Sequence, residues 1–185
     1  MKRRSALLGL CLLLSACSSM PVTRYYRLPD VAVQQTAARA ERPVVQIDIR
    51  LADFLSAGGI AYQQGEVGIT LAQQNLWAER LQEGIKRVLV ARMQQYQPAR
   101  LWLGSLPDTR VSTLSLEMNQ FNGRDDGKAV LAGRWYLRNA EQKLIVQSSF
   151  QLEVAQQGAG YEALVLALGE GLDQLSQNIS KELSL

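Results

Sequence analysis

The chain has 185 residues, 47% hydrophobic and 20% charged, with 20 Lys+Arg against 17 Asp+Glu, two Cys and no His. That length holds one domain, two at most, and the apolar share excludes wholesale disorder. The lack of His removes His-dependent triads and His metal sites, and two Cys are too few for a zinc site or a disulfide framework.

Lys2, Arg3 and Arg4 precede the apolar run Ala6 to Leu14, which is too short to cross a bilayer as a helix (about 20 residues are needed) and reads as an export signal. It ends in Leu14-Ser15-Ala16-Cys17, which resembles the bacterial lipobox: small residues fit a peptidase pocket and the Cys thiol accepts the lipid. Residues 1–16 are then a lipoprotein signal peptide, 17–24 the lipidated Cys17 with its tether, and 25–185 the folded domain. Ser18, where Asp often retains lipoproteins in the inner membrane, implies the outer membrane. Cleavage leaves 17 Lys+Arg against 17 Asp+Glu, so the net positive charge of the full chain disappears and nucleic-acid binding loses its support. No cofactor is expected beyond the acyl lipid covalently held on Cys17.

Ser18 to Arg24 reaches about 25 Å at most when extended. Tyr25, Tyr26 and Leu28 read as a first strand stopped by Pro29, and 32–42 as a mobile loop. Val44 to Leu51 alternates, with Val45, Ile47, Ile49 and Leu51 on one face, as a half-buried strand does. A turn follows over 52–59, then short strands at 60–63 and 67–71. Asn75 is the expected N-cap of a helix that carries Trp77, Leu81, Ile85, Val88, Leu89, Met93 and Tyr96 and stops at Pro98, with a Glu83–Arg87 pair on its solvated face.

Residues 100–109 read as a loop in which Trp102 is a candidate exposed contact. Strands carrying Leu114, Leu116 and Met118, then Leu131, Trp135 and Leu137, then Leu144, Val146, Phe150, Leu152 and Val154 form an antiparallel meander. A final helix bears Tyr161, Leu164, Val165, Leu168, Leu172, Leu175, Ile179 and Leu183, with Gly169 and Gly171 allowing close approach to the sheet. The expected fold is a single α+β domain, strands-helix-strands-helix, in which two amphipathic helices cover a mostly antiparallel sheet.

No motif names a reaction, so the protein is expected not to be an enzyme. Asp48, Asp53, Glu66 and Glu117 are the carboxylates a hydrolase would need, yet nothing in the sequence pairs them. Arg124-Asp125-Asp126-Gly127 lacks the spacing of a calcium loop and reads as turn chemistry, so no metal site is expected. The 19 Gln residues suit a wet protein–protein surface or plain solvent.

Together with the lipobox, several segments resemble the PqiC-like family of ABC-type and MCE transport auxiliary lipoproteins. They are Tyr25-Tyr26-Arg27-Leu28-Pro29, Phe54-Leu55 before Gly59 to Gln63, Asn75-Leu76-Trp77-Ala78-Glu79-Arg80-Leu81, Phe121 to Lys128, and Tyr161 to Val165. Arg80 stands where the family often has Pro. The resemblance implies a non-catalytic outer-membrane lipoprotein on the periplasmic face. It would meet the far end of a conduit built by a PqiB-like MCE protein, with a PqiA-like inner-membrane protein as indirect partner and lipid as cargo. The alternative is a lipid-binding carrier of another MCE system. A domain this size spans roughly 30–40 Å and cannot cross the periplasm unaided, and a symmetric tip favours a ring of copies. The hairpin groups Phe121, Asn122, Arg124, Asp126 and Lys128, with Trp102, are the candidate partner contacts; for the hairpin, a purely structural role is the equal alternative.

Overall fold

A computed structural model describes residues 21–32, 42–106 and 110–184. Cys17, Ser18, the signal segment and most of the expected 32–42 loop lie outside the described residues. Eight strands form one sheet: β1 (Arg24–Tyr26), β2 (Val44–Leu51), β3 (Gly59–Gln64), β4 (Gly68–Trp77), β5 (Leu101–Leu103), β6 (Ser112–Arg124), β7 (Lys128–Arg138) and β8 (Leu144–Ala155). Helices α1 (Leu81–Tyr96) and α2 (Gly160–Glu182) cover one face.

The α+β class and the element order agree with expectation, and the sheet is mixed. The long β6–β7 and β7–β8 ladders and the β3–β4 hairpin are antiparallel. The β1–β4, β2–β5, β2–β6 and β3–β6 pairings are parallel. One edge of β6 serves β7 throughout, while its other edge is shared between β2 and then β3. The core lies between sheet and helices, with Ile47, Ile49, Leu114, Leu116, Trp135, Leu89 and Leu168 inside it.

The helix boundary differs from the sequence reading. Asn75 is not an N-cap, and Trp77 ends β4 rather than opening α1. The sheet takes the backbone donors that a first helical turn would leave free: Trp77 N–H donates to Gly58 O at 2.8 Å and Ala78 N–H to Tyr26 O at 2.8 Å. The helix begins after Arg80, and Trp77 still reaches the core, 6.2 Å from the Phe121 ring. With Glu79 outside the helix, Arg87 pairs not with Glu83 but with Glu79 and Asp30, and Lys86 takes Glu83. Residues Asp53–Ser56, expected as part of a turn, wind into one 3-10 turn that buries Leu55.

Gly171 lets α2 close on β7, since a Cβ there would lie 2.4 Å from Leu131 Cδ1. The C-terminal end of α1 lies against the C-terminal half of α2 through polar side chains: the Tyr96 hydroxyl donates to Asp173 Oδ1 at 2.7 Å, and Gln97 Nε2 to Ser180 O at 2.9 Å. Burial and the Asp173 carboxylate push the Tyr96 hydroxyl above its ordinary pKa.

Candidate functional site

The β6–β7 hairpin shows how alternation and turn chemistry place the candidate residues. A bulge between Met118 and Gln120 inserts one extra residue into β6. Inward-facing positions therefore change from Leu114, Leu116 and Met118 to Phe121 and Gly123. Phe121 is buried in the core, and Asn122 is fully buried on β6, its Nδ2 donating to Gly123 O at 3.0 Å. Neither is exposed at the loop tip, so both expectations of a surface contact are corrected; Asn122 Oδ1 has no hydrogen-bond partner among the described residues.

The turn holds Asp125, Asp126 and Gly127, with Gly127 at φ 79°, as a left-handed turn position demands. Arg124 clasps Asp126 with two hydrogen bonds, at 3.0 and 2.7 Å, and reaches Glu153 of β8 at 2.8 Å. Lys128 meets the other Glu153 oxygen at 2.8 Å. These partners hold the Glu153 carboxyl at about 2 and the Asp126 carboxyl below its usual range, and they raise Arg124 and Lys128. Arg124, Asp126 and Lys128 are thus brought together at the surface and are largely engaged with one another and with Glu153, which sequence reasoning missed because the meander pattern does not fix the β7–β8 register that sets Glu153 opposite Val130. Asp125 accepts from Gly65 N–H at 2.8 Å, tying this turn to the β3–β4 turn. Both carboxylates have these protein donors as partners, in agreement with the turn reading.

Trp102 is also corrected. It sits in β5, opposite Val45 of β2, and is 1% exposed. Its indole N–H donates to Gln97 O at 3.1 Å. Beside it, α1, β5 and the segment around Asp30 and Val31 frame a groove of about 730 Å³, with Val90 and Ala91 in its wall and Lys86 and Arg87 along it.

Of the four hydrolase carboxylates, Asp48 and Glu117 lie on neighbouring strands with Arg50 paired across from Glu117. Arg134 and Tyr136 hydrogen-bond to Glu117, and Arg134 above all draws its carboxyl below the ordinary pKa, the wrong direction for a general acid. Glu66 lies at the β3–β4 turn and Asp53 in the 3-10 turn, on separate elements.

The N-terminal strap completes the arrangement. Leu28 is buried, Pro29 lies where a Cβ on Gly169 would stand 2.9 Å away, and Arg87 grips Asp30 Oδ1 at 2.7 Å, Glu79 Oε1 at 2.8 Å and Leu28 O at 3.2 Å. Arg27 adds an ion pair to Asp30.

Fold and site together define a small α+β module with a self-paired charged hairpin and an N-terminal segment strapped along its sheet. The family model for the ABC-type transport auxiliary lipoprotein component matches residues 26–180. Intermembrane transport lipoprotein PqiC of Escherichia coli K12 is 33% identical over 173 residues, covering 92% of this chain and 91% of PqiC, and the Shigella flexneri protein matches equally. A crystal structure of an uncharacterised protein has a TM-score of 0.76 at 30% identity, over 88% of this chain and 99% of that one. A Xanthomonas campestris structure, at TM-score 0.67 and 13% identity over 85% and 93% of the two chains, shares the fold. The chain belongs to the family of ABC-type transport auxiliary lipoprotein components, alongside PqiC.

Proposed function

We propose that this protein is an outer-membrane lipoprotein, anchored through acylated Cys17, that docks the distal end of a PqiB-like MCE conduit and supports lipid transport between the membranes and envelope integrity. The observation that carries the reading is the match to PqiC along nearly the whole chain, joined to the Leu14–Cys17 lipobox. A PqiA-like inner-membrane protein is the indirect partner. A ring of copies is the proposed assembly: β8 pairs only with β7 among the described residues, which leaves a twelve-residue backbone edge that a neighbour can use. The acylated protein, purified from outer membranes, is expected to hold the PqiB-like protein of the same cell in a pull-down. Failure to bind under conditions where both are folded overturns the docking.

The groove beside Trp102 favours one second reading, a lipid carrier, because its volume falls within the roughly 300–1,000 Å³ of small-molecule sites. Lipid co-purifying with the unacylated domain would support the carrier; a stable complex free of lipid supports docking.

A further inference from the structure

The β3–β4 turn presents an apolar residue where turn chemistry favours Gly, Asn, Asp or Ser. Val67 is 92% exposed at its tip, and Ile69, two residues on, is 41% exposed. The turn is pinned from both sides. Gln63 Nε2 donates to Gly65 O at 3.0 Å and Glu66 O at 3.2 Å, and Asp125 accepts from Gly65 N–H. Nothing in the packing of the domain accounts for a β-branched side chain held out in this way.

Strand direction connects this tip to the anchor. β1 runs parallel to β4, with Arg24 opposite Asn75, and β4 starts at the tip with Gly68. The chain N-terminal to Arg24 therefore enters from the tip end. From Asn75 back to Gly68 the strand spans about 23 Å at roughly 3.3 Å per residue. From Arg24 back to Cys17 the chain spans about 25 Å at most. A fully extended tether thus brings Cys17 about level with Val67 and little farther.

We propose that the Val67 tip rests on the lipid bilayer that holds the Cys17 acyl chains, fixing the orientation of the domain on the membrane. The inference rests on the anchor reading above. A shorter or bent tether only draws the bilayer closer to this end. Glu66 and Asp125 are acidic groups at the same end, outside the Arg124–Asp126–Lys128–Glu153 network, so a zwitterionic surface suits it better than an anionic one. The contact orients and does not anchor, since one valine is a small apolar area beside acyl chains.

The test uses the full, acylated protein in vesicles of phosphatidylcholine and phosphatidylethanolamine, with an environment-sensitive fluorophore on a single introduced Cys. Val67→Cys is the probe. Ile145→Cys is the control, since Ile145 is 58% exposed and is the second residue of β8, at the opposite end of the β6–β7–β8 ladder. Blue-shifted emission from position 67 and none from 145, in protein that floats with the vesicles, is the expected result. Floating protein with no shift at 67, or with equal shifts at both positions, overturns the contact and leaves the anchor intact. Protein that lacks acyl groups on Cys17 by mass spectrometry and does not float overturns the anchor, and this inference with it.

Discussion

Glu153 shows how an exposed hairpin is locked by charge. Arg124 and then Lys128 hydrogen-bond to its carboxylate and hold it at about 2, against an ordinary value of 4.5. A carboxyl lowered by folding stabilises the native state above its unfolded value, and that contribution is lost as pH falls through the folded value. The clasp is therefore fully formed at neutral pH and weakens between about 4.5 and about 2. A carboxyl-carbon NMR titration is expected to place Glu153 well below the other exposed Glu residues, and Arg124→Gln is expected to move it back up. Titration near 4.5 in the unaltered protein would show that solvent screens the pairs out. At this scale sequence patterns showed which residues are unusual and not where they point. Asn122, a candidate contact by sequence, is buried inside β6, which runs two residues past it, and Trp102 is buried by a three-residue strand whose partner, β2, lies more than fifty positions earlier.

Among the elements, periodicity was most legible where neighbours in sequence are neighbours in space. The β6–β7–β8 meander and α2 lie where their apolar patterns place them, and β2 does so through its own alternation although its partner strands are distant in sequence. The start of α1 failed for a physical reason: Trp77, Leu81 and Ile85 keep helical spacing by coincidence across a strand–helix junction, and parallel pairing with β1 is invisible to local patterns. Gly171 tests the packing of α2. Alanine there would gain roughly 1 kcal/mol of helix propensity. It would also drive a methyl group against Leu131, which is fully buried in β7, and overpacking of this kind costs typically 1–3 kcal/mol. Gly171→Ala is expected to lower stability by up to about 2 kcal/mol, measured by thermal or urea unfolding. Gly169→Ala is expected to lose less, since it meets the exposed Pro29 ring. A more stable Gly171→Ala variant would mean that α2 does not need to sit so close to the sheet.

For the whole molecule, the proposed function depends on the division between the proposed anchor and the folded body. The buried core is assembled from Leu28 onward, and the strap from Leu28 to Asp30 is fastened by Arg87 and by its contact with α2. Force on the tether therefore reaches the domain through β1 and this strap, while the core itself has no need of the lipid. In the proposed anchor each buried acyl methylene would contribute about 0.8 kcal/mol, so one chain would hold marginally and three would hold for good. Cys17→Ala would remove that proposed anchor and changes no described contact. It is expected to melt at the same temperature as the unaltered protein in detergent and to move from the membrane to the soluble periplasmic fraction in cells that lack the proposed MCE partner. Membrane retention in those cells would point to an attachment other than Cys17, and a lowered melting temperature would show that the anchor contributes to the fold.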